Sequence, residues 1–255
     1  IKRLRIFAEN AFRRPLQVDE LEPIESLVLN KIEEGLKPIE ALQIGFQTIL
    51  CSPGFIYLAE GDGPLDSIAL ASRLSYFLWS SMPDKELINI AGKGGLSELK
   101  ILKNQVVRML ADPKSDRFVS NFISRWFEID NIGEMPVSED FRSYHRDSIE
   151  TAMQRETEAF FRHVMEENLR PGELLSADYS FINRELALHY GIAGIEGNHL
   201  RMVAMNGIPR GGLLGQSLLL TASANGVDTS PVNRGIYVLE NLLGYSPPSP
   251  PPDVP

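Results

Sequence analysis

Cysteine is almost absent from this chain: Cys51 is the one cysteine in 255 residues. No disulfide framework, CxxC redox pair, thiolate zinc cluster or CxxCH haem-attachment site can therefore form within it. Positive charge is also in deficit, with 25 Lys and Arg against 34 Asp and Glu. The resulting formal charge of −9 argues against a nucleic-acid or anionic-membrane surface, which requires a basic face. No apolar run approaches the ~20 residues of a membrane span. The four histidines, His145, His163, His189 and His199, form no HExxH and no i,i+4 pair. Glycine patterns that cradle phosphates are missing. So is the GxSxG nucleophile elbow, because Gly215-Gln216-Ser217 runs on into Leu218.

What is present is helical periodicity. With 43% hydrophobic and 23% charged residues, the composition is that of a globular chain with enough apolar material for a core. Leu4, Phe7, Ala8, Ala11 and Phe12 recur at three-and-four spacing before Pro15. Further helices are predicted near 23–35, 38–50, 67–80, 97–110 and 118–127, with the longest from Tyr144 to Asn168 and more over 211–222 and 231–243. Residues 67–80 are apolar around the whole axis, which predicts an interior helix. Only His199–Met205 alternates as a strand does. The expected fold is mainly α, an irregular multi-helix bundle of about ten helices with at most a small β-hairpin at 199–206. The expected divisions are an N-terminal helical module (1–60), a central helical domain (64–193), a C-terminal helical module (198–245) and a proline-rich linker (246–255). A chain that starts at Ile1 without a signal-peptide pattern and leaves through prolines reads as a module from a longer protein.

Glu156 is the most telling polar residue. The stripe Ile149, Met153, Phe160 and Val164 puts it at the centre of a helix's apolar face. A carboxylate aimed at a core must be paired, protonated or functional. Arg73 and Arg125 stand in apolar stretches of their own, so a buried ion pair of Glu156 with one of them is the expectation, clasping helices in register. A catalytic role for Glu156, with Asp178 or Asp228 as second acid, is the competing reading. Arg210, Gly211, Ser230 and Arg234 bracket a polar hinge whose helix N-termini could hold an anion, although capping chemistry explains the same residues. Cys51 follows an apolar face and reads as a buried, inert thiol. The basic cluster Lys2, Arg3, Arg5, Arg13 and Arg14 reads as a solvated helix face.

Several long phrases carry a resemblance. AFRRPL at 11–16 with SPGFIYLAE at 52–60 forms one set. LASRLSYFLWSSMPDKEL at 70–87, RMLADPKSDRFVSNFISRWF at 108–127, RETEAFF at 155–161 and ADYSFINRELALHYGI at 177–192 form a second. The third is RGGLLGQSLLLTASANGVDTSPVNRGIYVLENLLG, from Arg210, with its proline exit. Together they resemble successive domains of unknown function in planctomycete-type proteins associated with cytochrome c. That resemblance implies an exported, extracytoplasmic protein in an electron-transfer setting. It also implies a c-type haem in neighbouring modules rather than in this chain, and partners that are a haem-binding module or other domains of the same polypeptide. It implies no catalytic residue. Two functions stay open: a non-catalytic scaffold or docking module, and a carboxylate-dependent enzyme domain acting on a polysaccharide or similar substrate.

Overall fold

The computed structural model describes residues 1–255 apart from 59, 61, 130, 131, 133–136, 147, 209, 229, 247 and 249–255. The proline-rich exit at 246–255 lies almost wholly outside the described residues. The fold is mainly α, 60% helical, with thirteen helices among the described residues, ten of them of seven residues or more, and one two-stranded sheet. The chain divides into two compact units, Ile1–Phe118 and Val119–Pro255.

The first unit holds α1 (Lys2–Phe12), α2 (Glu22–Glu33), α3 (Pro38–Leu50), α4 (Pro53–Ile56), α5 (Ser67–Trp79), α6 (Lys85–Gly92) and α7 (Leu99–Leu110). Proline opens α3 and α4 and lies in the first turn of α2, where a missing N–H costs nothing. Asp66 and Asp84 cap α5 and α6 by accepting from Ala69 N and Leu87 N. Leu4, Ala8, Val28, Ala41 and Ile49 fill one core between α1, α2 and α3. Trp79 centres a second with Leu87, Leu96 and Met109, and its Nε1 donates to Met109 O at 2.9 Å. The interior expected for α5 is only partial, because Arg73 and Phe77 form an outward face and Phe77 is 61% exposed.

Two sequence expectations in this unit are corrected. Cys51 is exposed, not buried, because it sits past the last turn of α3, off the face that packs. The basic cluster is not simply solvated. Arg13 is 7% exposed, adopts φ 59° at the end of α1, and donates to the carbonyls of Gly54, Phe55 and Tyr57 and to Tyr76 Oη. Arg14 pairs with Glu20, and Arg5 with Glu25.

Helix α8 (Asp116–Phe127) spans the point in the chain where the units divide. The second unit continues with α9 (Ile149–Glu166), α10 (Glu173–Ser176), β1 (Tyr179–Ile182), α11 (Arg184–Tyr190), β2 (Arg201–Ala204), α12 (Ser217–Ala222) and α13 (Pro231–Asn241). The long helix begins at Ile149 rather than Tyr144, because Ser148 stands at φ 66° and cannot extend the helical turn. The strand expected at 199–205 is β2, but its partner is not adjacent. It pairs antiparallel with β1, Ser180 opposite Val203 and Ile182 opposite Arg201, with α11 between them. On β1 the burial alternates, so Ser180 and Ile182 face inward while Tyr179 and Phe181 are half-buried. His163 contacts the rings of Tyr179 and Phe181, and α9 packs on this strand.

Helix α12 is shorter than the 211–222 expected. Gly211 and Gly212 lie flat against the backbone of residues 175–177: a Cβ on Gly211 would meet Ala177 O at 2.7 Å, and one on Gly212 would meet Leu175 O at 2.6 Å. Gly212 also adopts φ 56° while its N–H donates to Ala177 O. The double glycine therefore serves close backbone approach, and the helix starts only at Ser217.

Candidate functional site

All of the site's residues come from the second unit. Glu156 lies on the buried face of α9 and is 1% exposed. Ser180 Oγ, from β1, donates to its Oε1 at 2.6 Å. Tyr190 Oη, from the last turn of α11, donates to its Oε2. Tyr190 is positioned by Asn183, which caps α11 by accepting from Leu186 N, and by Gly191, which ends the helix at φ 71°. Behind these groups, Ser217 N donates to Tyr190 Oη at 3.0 Å and Thr157 Oγ1 donates to Gln216 Oε1 at 2.7 Å. Burial drives the Glu156 carboxyl up to about 7, although both hydroxyl donors and the charge of Arg210 pull it down. Burial also raises Tyr190, and the neighbouring Glu156 adds to that rise.

The expected clasp between Glu156 and Arg73 or Arg125 is thereby corrected. Its hydrogen-bond partners are hydroxyls of β1 and α11, and the arginine that acts on it is Arg210. Arg73, 59% exposed, holds Glu60, its Nε donating to Glu60 Oε1 at 2.6 Å. Arg125 is on the outer side of α8, off the buried line of Val119, Ile123 and Phe127. Apolar neighbours in sequence misled here, since residues adjacent on a helix point about 100° apart.

Arg210 stands between two cavities. Its guanidinium lies over the Tyr190 ring at 4.1 Å, and Nη1 donates to Gly215 O at 3.0 Å. On the Glu156 side is a gap of about 10 Å³, also lined by Ser180, Met205 and Gly211, about the smallest space that admits a water. On the other side is a cavity of about 230 Å³. Phe141, Leu220 and Val227 supply apolar walls, and His189, Ser217 and Asp228 polar ones. His189 Nδ1 is 3.1 Å from Ser143 Oγ. Burial, followed by the charges of Arg210 and Arg146, holds its imidazole below the usual histidine range and so neutral. Two loops frame the cavity. Asn225 Oδ1 accepts from Val227 N and Asp228 N, and Ser138 N donates to Gly226 O at 2.8 Å.

The remaining predicted positions are dispersed. Asp228 and Glu156 line different cavities, and Asp178 precedes β1, where its carbonyl accepts from Met205 N. Gly211 lines the Glu156 gap. Ser230 caps α13 by accepting from Asn233 N, and Arg234 is carried on that helix. Of the four residues proposed for an anion, Arg210 and Gly211 thus share the lining of the Glu156 gap, and Ser230 and Arg234 share α13. His189 was missed because its only sequence signal was proximity to Tyr190 and Gly191. Among the described residues no three His, Cys, Asp or Glu side chains cluster as metal ligands, and no helix is long and apolar enough to cross a membrane.

The stretch 65–192, which carries Glu156, Ser180, His189 and Tyr190, matches the family model PSD4, protein of unknown function (DUF1592). The chain belongs to the PSD4 family. Flanking it, residues 2–60 match PSD5, protein of unknown function (DUF1595), and residues 210–255 match PSCyt3, protein of unknown function (DUF1588). By name these are the planctomycete cytochrome-c-associated families. Arg210 and Ser217 belong to the PSCyt3 segment, so the site joins it to the PSD4 segment. No curated protein and no solved structure matches the chain.

Proposed function

We propose that this chain is a non-catalytic helical scaffold that docks a c-type haem module in an exported, cytochrome-c-linked protein. The observation that carries this reading is the closure of the hydrogen bonds around Glu156. Both carboxyl oxygens accept from hydroxyls, and the residue is 1% exposed. An acid held this way ties α9, β1 and α11 together instead of facing a substrate. The family names support the cytochrome association, and the acidic charge of −9 suits a basic partner surface. In this reading the haem resides in neighbouring modules, and the chain contributes position rather than electrons.

Titrating the purified chain with a single-haem c-type cytochrome, followed by amide chemical shifts and haem absorbance, tests the proposal. Saturable binding is the expected result; no perturbation of either spectrum would overturn it. One observation favours the alternative of a carboxylate enzyme, namely that burial brings Glu156 to about 7, where a general acid operates. Turnover of a polysaccharide that is lost in Glu156→Gln, while the fold persists, would establish that alternative instead.

A further inference from the structure

From the larger cavity of the second unit we infer a binding site for a small organic monocarboxylate with an apolar body, held by Arg210 and Ser217. The site stands apart from the docking proposal. Its space of about 230 Å³ is below the ~300 Å³ at which pockets for drug-sized ligands begin, so a single-ring or short-chain acid is the right size. Phe141, Leu220 and Val227 provide the surface for the apolar body.

Two polar features are left over by the fold. Ser217 is 3% exposed, and its buried Oγ meets only the Tyr190 hydroxyl, with no well-formed hydrogen bond among the described residues. A native fold rarely leaves a buried hydroxyl unused, because such a group costs stability unless something arrives to bond it. Arg210 is the second feature. Stacking on Tyr190 and the bond from Nη1 to Gly215 O fix its plane, and Nε and Nη2 have no hydrogen-bond partner among the described residues. A guanidinium anchored in this way is pre-organised for an oxyanion. His189, in contact with Ser143, adds a neutral wall group. Asp228 is the one acid among the described residues that line the cavity, and it is exposed. Its charge disfavours a dianion and so selects a single carboxylate.

Benzoate is the probe, with benzamide as its neutral isostere, and ligand-observed NMR and calorimetry on the whole chain are the readouts. Benzoate is expected to saturate with a dissociation constant of about 0.1–10 mM, the range open to so few atoms. Benzamide should bind about tenfold more weakly. Arg210→Met should remove the difference between the two probes. Ser217→Ala should weaken benzoate about threefold or more with at most a small loss of thermal stability, since the hydroxyl it deletes meets only that of Tyr190. Ala224→Phe, which fills the cavity, should abolish both. If Arg210→Met fails to fold, Ser217→Ala and Ala224→Phe decide the matter. Absence of saturation by benzoate, equal affinity for the two probes, or undiminished binding in Ala224→Phe would each overturn the site. None of these outcomes bears on cytochrome binding, so the two proposals fail separately.

Discussion

Glu156 illustrates how one buried proton couples to stability. Its carboxyl rises from 4.5 to about 7 on folding, chiefly through burial. The folded state therefore holds a proton that the unfolded chain releases near its ordinary value. Stability is highest below that value and falls as pH climbs from 4.5 to about 7. At about 1.4 kcal/mol per unit, the loss is on the order of 3 kcal/mol. Glu156→Gln removes the titration, and its amide oxygen can accept from only one of Ser180 and Tyr190, leaving its NH2 against the other hydroxyl. Urea unfolding at a series of pH values should show the variant about 1 kcal/mol less stable near pH 5 and level with or above the wild type near pH 8. A parallel pH dependence in the two proteins would show that other groups titrate instead. Arg13 teaches the complementary lesson: a residue in a basic run became a buried clamp because three carbonyls and the Tyr76 hydroxyl converge on it.

Close packing between helices rests on small residues where backbones meet. Gly45 on α3 lies under both α1 and α2: a Cβ there would stand 2.6 Å from Val28 Cγ2 and 2.8 Å from Leu4 Cδ1. Gly45→Ala gains helix propensity but must push both leucine and valine out of a filled core. A net loss of about 1–3 kcal/mol is expected, read as a lower urea midpoint with unchanged slope. A variant at least as stable as the parent would mean that α1 and α2 yield without penalty. The helices were legible because their periodicity is local: the stripe through Ile149, Met153, Phe160 and Val164 is buried on α9. The strand Tyr179–Ile182 was not, since four residues carry too short an alternation to distinguish a strand from a turn. The double glycine after Arg210 was read as helix because its real partner is the backbone at 175–177.

Taken whole, the chain is acidic, and charge acts at the distance at which partners first meet. If the −9 charge guides a basic cytochrome, affinity should fall about tenfold between roughly 20 and 200 mM salt. Calorimetric titration at several salt concentrations checks this, and affinity insensitive to salt would place the interaction on apolar contacts instead. The compact units and the family segments do not share boundaries. The PSD4 segment covers 65–192, whereas the units divide after Phe118. A family segment marks what is inherited together, and a compact unit marks what packs together. The site around Arg210 in turn draws on two family segments within one unit.

Helix content, the missing cysteine chemistry and the burial of Glu156 could all be read from composition and from spacings of three and four residues, because such constraints act within one or two turns. Who meets whom could not. Ser180 and Tyr190 reach Glu156 from 24 and 34 residues away, and Arg210 reaches Tyr190 because β2 returns along β1 and the glycine pair that follows Arg210 packs on the backbone at 175–177. Those meetings depend on chain direction and close packing accumulated over many residues, and no local pattern records them.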